Sequence, residues 1–185
     1  RHPVGRTTLT LDVTDAMKQG TNRLEVKAEH PEMIADMPWV CGGCSSEWGF
    51  SEGSQPFGIF RPVVLEVTDE IRIEPFGVHI WNDEKAVNVF VETEVKNYGK
   101  ATETIELVNK LSNADGKQVF RLVEKVTLAP GEMKVVRQQA PVEKPVLWDT
   151  ETPYLYKLAS MIKRDAKTTD EISTPFGIRT ISWPV

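Results

Sequence analysis

Ala86-Val-Asn-Val-Phe-Val-Glu-Thr-Glu-Val-Lys96 alternates apolar and polar residues along most of its length. In an extended chain successive side chains point to opposite faces. Val87, Val89, Val91 and Val95 therefore share one face, and Asn88, Glu92, Glu94 and Lys96 share the other. That is the period of a strand with one side on a core and the other toward water.

Outward from this segment the same signal repeats between turns. On its N-terminal side Asn82-Asp83-Glu84-Lys85 reads as a turn, preceded by a strand over 71–80 that bends at Pro75-Phe76-Gly77. On its C-terminal side Asn97-Tyr98-Gly99-Lys100 turns into a strand over 102–111, with Ile105 and Leu107 inward. Asn113-Ala114-Asp115-Gly116 predicts a hairpin, since Asp-Gly accepts the positive φ angles of tight turns. Strands over 117–128 and 132–140 flank the Ala129-Pro130-Gly131 turn, and a Pro-punctuated connection, 141–153, leads to strands over 154–163 and 171–182. Short strands at this spacing, with no sustained helical stripe, predict an all-β fold: an immunoglobulin-like antiparallel β-sandwich. The chain has no Cys-Trp-Cys core, which disfavours a true antibody-type domain.

The first third reads differently. Leu9, Leu11 and Val13 alternate within a strand over 7–14, Asp15 to Lys18 forms a short turn closed by Gly20, and Leu24 and Val26 alternate within 22–28. A loop over 30–57 follows, then a strand over 57–67. A loop this long in a compact domain is functional or disordered, and Trp39, Trp48, Phe50 and Phe57 argue against plain disorder. The composition changes at Thr68-Asp69-Glu70, so two β modules are expected, 1–69 and 70–185.

Composition narrows the function classes. The 185 residues are 40% hydrophobic and 26% charged, near globular averages. A net charge of -5, without a clustered basic surface, argues against nucleic acid. No apolar run is long enough to cross a bilayer, and Arg1-His2-Pro3-Val4-Gly5 is not followed by a signal-peptide core. The start therefore reads as cut from something longer, and compartment is unassigned; a periplasmic or secreted bacterial parent is a guess. Cys41 and Cys44 form a lone Cys-x-x-Cys flanked by Gly and Ser, with no helix to lower a thiol pKa and too few ligands for a closed zinc site. An inert thiol pair or a local disulfide is favoured, with no metal and no cofactor expected.

The order Leu11-Asp12-Val13-Thr14, Gly20-Thr21-Asn22-Arg23-Leu24-Glu25-Val26, Trp39, Gly58-Ile59-Phe60-Arg61-Pro62-Val63 resembles the end of the sugar-binding jelly-roll domain of glycoside hydrolase family 2. That family includes β-galactosidases, β-glucuronidases and β-mannosidases. Leu147-Trp148-Asp149-Thr150-Glu151-Thr152-Pro153-Tyr154-Leu155-Tyr156 resembles its immunoglobulin-like domain, and Phe176-Gly177-Ile178-Arg179-Thr180-Ile181 the strand that enters its catalytic barrel. The resemblance implies a partial jelly-roll module ahead of the sandwich, a carbohydrate substrate in the intact enzyme, and a barrel as the sandwich's partner. The family's acid/base glutamate sits in an Asn-Glu pair, and this sequence contains none. Retaining chemistry needs two carboxyls about 5 Å apart, so the fragment is expected to be inactive alone.

Within the long loop, Glu47 and Glu52 beside Trp48 and Phe50 offer carboxylates next to aromatic surface. Autonomous catalysis is disfavoured because no rigid frame fixes their separation. The resemblance instead implies that Asp36, in Asp-Met-Pro-Trp39, or Glu47 beside Trp48 touches a sugar bound in the barrel. Packing against a neighbouring domain is the favoured alternative. The candidate substrate contacts are therefore Asp36, Trp39, Glu47, Trp48 and Glu52, and the family's structural motif falls on Gly58, Arg61, Trp148, Tyr156, Gly177 and Arg179. Trp148 and Tyr156 are expected in the sandwich core or its connecting loop, and Trp81 at a strand end, with an exposed sugar platform as the lesser alternative. Lys110, Arg121, Lys125 and Arg137 are expected to be solvated. A stand-alone carbohydrate-binding sandwich is the second functional class. An interaction module whose open jelly-roll edges pair with another copy, giving a homo-oligomer, is the third.

Overall fold

The alternation of 86–96 becomes the central strand of a three-stranded sheet in the computed structural model, which describes residues 8–27, 59 and 62–181. Seven strands follow in order: β1 Ile71–Asn82, β2 Asn88–Asn97, β3 Glu103–Ser112, β4 Gln118–Leu128, β5 Met133–Pro141, β6 Tyr156–Arg164 and β7 Lys167–Phe176. One sheet has the order β1-β2-β5 and the other β4-β3-β6-β7, and every pairing is antiparallel. This is a sandwich of immunoglobulin type, with hairpins β1–β2, β3–β4 and β6–β7 joined by crossings between the sheets.

The chain divides into two compact units, Arg1–Glu66 and Val67–Val185. In the first, the regular element among the described residues is a single 3-10 turn, Thr14–Ala16. Asp12 steadies its entry, its Oδ1 accepting from the Thr14 amide at 2.9 Å and from the Thr14 hydroxyl at 2.6 Å. The turn closed by Gly20 (φ 92°) is held by Asn22, whose amide accepts from Lys18 N and donates to the Lys18 and Gly20 carbonyls. The strands expected over 7–14, 22–28 and 57–67 are not formed at their described positions, and Leu9, Leu11, Leu24 and Val26 are exposed rather than inward. Alternation marks a face that a sheet would cover, but a strand exists only where a partner completes its hydrogen bonds.

In the second unit the inward residues build a core in two parts. One cluster gathers Val89, Val91, Leu111, Phe120, Leu158, Phe176 and Ile178; the other gathers Ile71, Ile73, Val95, Ile105, Leu107, Leu128 and Ile162. Each fully buried Leu or Ile contributes roughly 1.5–3 kcal/mol. Val87 lies just outside β2 and is 48% exposed, so the expected apolar face loses its first member.

Between the two clusters lies a polar layer. Asn109 on β3 donates to Thr93 Oγ1 of β2 at 3.1 Å and to Gln138 Oε1 of β5 at 3.0 Å, and Ser160 of β6 donates to its Oδ1. Asn109, Thr93 and Ser160 are fully buried. Each stands two positions from an apolar residue of either cluster on its own strand, as Leu107 and Leu111 flank Asn109. No side-chain polar atom buried among the described residues lacks a hydrogen-bond partner.

The bend at Pro75-Phe76-Gly77 is a bulge. Ile73 faces Val95 and Val78 faces Thr93, so four residues of β1 stand against one of β2. Phe76 takes φ 62°, and a Cβ on Gly77 would meet Glu74 O and Glu94 Cβ at 2.9 Å. The last strand departs from the expected 171–182. It starts at Lys167 because Asp165 and Ala166, at φ 48° and 63°, form a two-residue hairpin loop between the paired Arg164 and Lys167. It ends at Phe176, where the chain leaves the ladder.

Surface charge is more organised than expected at one site. Arg137 is not simply solvated: its Nε lies 2.6 Å from Glu92 Oε1, directly across the β2–β5 pair. Exposed pairs of this kind contribute about 0–1 kcal/mol.

Candidate functional site

The segment leaving β7 is held by three different contacts. The amide of Asn82, the last residue of β1, donates to Arg179 O at 2.9 Å and accepts from Arg179 N at 3.2 Å. One side chain thus bonds a backbone residue in both directions, as a neighbouring strand would. Trp148 N donates to Ile178 O at 2.7 Å. The Arg179 guanidinium lies 5.6 Å from the centroid of the Trp148 ring, a cation–π distance.

Gly177 makes the approach of Trp148 possible. A Cβ at Gly177 would lie 2.9 Å from Trp148 Cβ and Cγ, too close for any larger residue without displacement. Trp148 itself is fixed from both sides. The Tyr156 hydroxyl accepts from Val146 N at 2.8 Å. Asp149 closes a tight turn by accepting from Glu151 N, Thr152 N and the Thr152 hydroxyl. These bonds, led by the Thr152 hydroxyl, hold the Asp149 carboxyl below the usual aspartate range.

A groove of about 910 Å³ runs beside this clamp, lined by Trp81, Asn82, Trp148, Leu155, Arg179 and Ile181 among others. Trp81 stacks on Phe90 with centroids 5.6 Å apart. Asp83, at the rim, has its carboxylate engaged by Val87 N at 2.8 Å and Asn88 Nδ2 at 2.7 Å; the Val87 bond first, then Asn88, depresses its pKa. The groove presents aromatic, amide and guanidinium surface together with the imidazole of His79 and the carboxylates of Asp83 and Glu84. Among the described residues no group of three or more His, Cys, Asp or Glu is placed to hold a metal ion. No helix there is long and apolar enough to cross a membrane.

Four of the residues singled out from sequence meet around this clamp. Trp148 packs against Gly177 and lies under the Arg179 guanidinium, and Tyr156 anchors the approach to Trp148 from within the core. Asp36, Trp39, Glu47, Trp48, Glu52, Gly58 and Arg61 lie outside the described residues, as do Cys41 and Cys44. Trp81 is the penultimate residue of β1, 42% exposed. Asn82 is the residue that sequence reasoning missed. It reads as an ordinary turn residue, and its partner lies 97 positions away.

Comparison with known proteins is consistent with this geometry. The sequence pattern of the glycosyl hydrolases family 2 matches residues 71–179. The beta-galactosidase BoGH2A of Bacteroides ovatus is 29% identical over 184 residues, covering 97% of this chain and 20% of the relative. A beta-glucuronidase of Formosa agariphila is 31% identical over 137 residues, covering 68% of this chain and 14% of the relative. The chain thus spans a fifth or less of the length of these relatives. The crystal structure of a glycosyl hydrolase family 2 member from Bacteroides cellulosilyticus superimposes with a TM-score of 0.60 at 28% identity, covering 63% of this chain and 16% of that one. With the family's pattern running from the first residue of β1 to the clamped Arg179, this chain belongs to glycosyl hydrolases family 2.

Proposed function

We propose that this chain is the non-catalytic accessory region of a family 2 enzyme that hydrolyses β-glycosidic bonds, β-galactosidase-like, in carbohydrate metabolism. Residues 1–69 are the end of a sugar-binding jelly roll, and 70–185 are the sandwich that supports a catalytic barrel further along a longer polypeptide. One observation carries this: the family's pattern ends at Arg179, the residue whose backbone Asn82 grips from both sides. A sandwich that fixes the direction of its last segment suits a strut that sets the position of what comes next. The named activities of the relatives, beta-galactosidase and beta-glucuronidase, support a β-glycoside as the substrate class. Asp36, Trp39, Glu47, Trp48 and Glu52 are its proposed contacts to the bound sugar in the intact enzyme.

The test compares two forms. The 185-residue chain should turn over chromogenic β-galactosides and β-glucuronides at background, and the longer gene product should hydrolyse one of them. Clear turnover by the short chain, abolished in Glu47→Gln, overturns the accessory assignment. The exposed Trp81, stacked on Phe90, favours a second reading as a carbohydrate-binding module. Calorimetric binding of oligosaccharides to the short chain, lost in Trp81→Ala, would decide for it.

A further inference from the structure

We propose that the outer face of the four-stranded sheet binds an acidic glycan, a polysaccharide that carries uronate carboxylates. This rests on the reading of the chain as part of an enzyme for β-glycosides, and it names the charge of the glycan that the chain meets.

The strand register gathers cations that are scattered along the sequence. Ile105, Leu107, Asn109 and Leu111 of β3 are buried in the core, so Glu106, Val108 and Lys110 stand on the other side of the sheet. Lys110 lies directly opposite Arg121 of β4. On its other side it faces Ala159 of β6, two positions from Lys157. Further along the same face, Lys125 and Lys163 stand on either side of Glu106. These five cations share the face with two carboxylates, Glu106 and Glu171 of β7, in a chain whose net charge is -5.

Like charges directly opposite in a β pair are destabilising. None of Lys110, Arg121, Lys125, Lys157 and Lys163 makes an ion pair or a side-chain hydrogen bond among the described residues. The other sheet is the contrast. Every Lys and Arg of β1, β2 and β5 has a partner: Arg72 meets Glu74, Lys134 meets Glu132, Arg137 meets Glu92, and Lys96 lies over the Tyr98 ring. A basic face left without carboxylate partners is complementary to an anion from outside.

The spread of the cations selects the occupant. They lie on three strands rather than around one point, with Arg121 and Lys125 about 13 Å apart along β4. That suits a linear polyanion and not a single phosphate. Among the described residues no aromatic ring lies on this face, so it lacks the stacking platform of a single-stranded nucleic-acid site. Two of the relatives are named beta-glucuronidases, and a glucuronide brings a carboxylate with each uronate.

Fluorescence anisotropy of labelled hyaluronan oligosaccharides, which alternate glucuronate with a neutral sugar, tests this on the 185-residue chain. Uncharged dextran oligosaccharides should not compete. Binding should weaken at least about tenfold between 50 and 500 mM NaCl, as screening of charge requires. Lys110→Gln with Arg121→Gln should weaken it at least about tenfold. The melting temperature should hold or rise in that variant, because a like-charge pair is removed. Arg137→Gln, on the other sheet, should leave binding unchanged. No binding at the lower salt, or equal binding by the double variant, overturns the proposal. Tighter binding of single-stranded DNA of the same charge overturns it in favour of nucleic acid. Hyaluronan binding with a longer gene product inactive on β-glycosides leaves the basic face standing and overturns the functional reading. An active longer product without hyaluronan binding does the reverse.

Discussion

Asn109 and Thr93 meet at 3.1 Å across the two sheets, fully buried, at the level where the apolar core divides. Asn109 is the hub of this layer, because Gln138 and Ser160 bond the same side chain. A buried amide with partners on three other strands rewards one register and penalises every slip, since a shifted strand strands a polar group in the core.

Asn109→Ala should therefore cost more than its lost volume. It leaves the hydroxyls of Thr93 and Ser160 without their partner, at about 1–3 kcal/mol for each unsatisfied group. Urea unfolding should show a loss of about 3 kcal/mol or more. Combining Asn109→Leu with Thr93→Val and Ser160→Ala should recover most of it, because no orphaned buried hydroxyl remains and the half-buried Gln138 can turn its amide to water. A loss below about 0.5 kcal/mol for the single variant would show that the layer carries no weight.

At the exit clamp, Gly177→Val should destabilise by about 1–3 kcal/mol, the range for overpacking a filled site. The new side chain must displace Trp148, so tryptophan fluorescence should shift with the melting temperature. Adding Trp148→Ala should relieve the clash. Equal losses in the single and double variants would mean that the Trp148 contact is not the reason for glycine here.

The β6–β7 loop offers a stabilising change. Ala166 sits at φ 63°, a conformation that costs a residue bearing a Cβ about 1 kcal/mol or more and glycine little. Ala166→Gly should raise stability by roughly 0.5–1 kcal/mol, after the entropy that glycine gains in the unfolded chain is deducted. Thermal melting detects this as a rise of a few degrees. A fall in the midpoint would show that the strain at this position is absent.

Acid should loosen three loops together. Val87 N and then Asn88 lower the pKa of Asp83, Ala129 N and then Lys134 that of Glu132, and Thr152 and then Glu151 N that of Asp149. A carboxyl whose folded pKa lies below its unfolded value stabilises the fold above the unfolded value, and the contribution disappears as pH falls through the folded one. The stability these groups supply should be flat near neutrality and decline from about pH 4 downward. Asp149→Asn should make the decline in melting temperature between pH 5 and pH 2 shallower. An unchanged slope would remove Asp149 from the account.

How much of this was legible in the sequence differs between elements. The alternation of 88–96 specifies a half-buried strand because extended backbone turns successive side chains to opposite faces, whatever the partner. Asn113 to Gly116 signals its hairpin locally, and Gly116 does take a positive φ, 79°. The loop at Asp165-Ala166 carries no such signal, because alanine is a poor residue for the conformation it adopts, and β7 starts at Lys167, ahead of the expected 171. The segments near Leu9 and Leu24 alternate as clearly as β2 does, yet form no ladder among the described residues.

Residue order alone specifies the fold class and the sites of most turns, because those follow from local backbone preference, while Trp148, Tyr156, Gly177 and Arg179 stand out as a set through the resemblance to glycoside hydrolase family 2. It takes the stacking of the sheets to bring Asn82 to Arg179 from 97 residues away, to set Trp148 in the space glycine leaves at 177, and to join four strands through Asn109. Hydrogen bonds and packing act over a few ångströms, and which distant residues come that close is settled by how the two sheets stack, not by their separation along the chain.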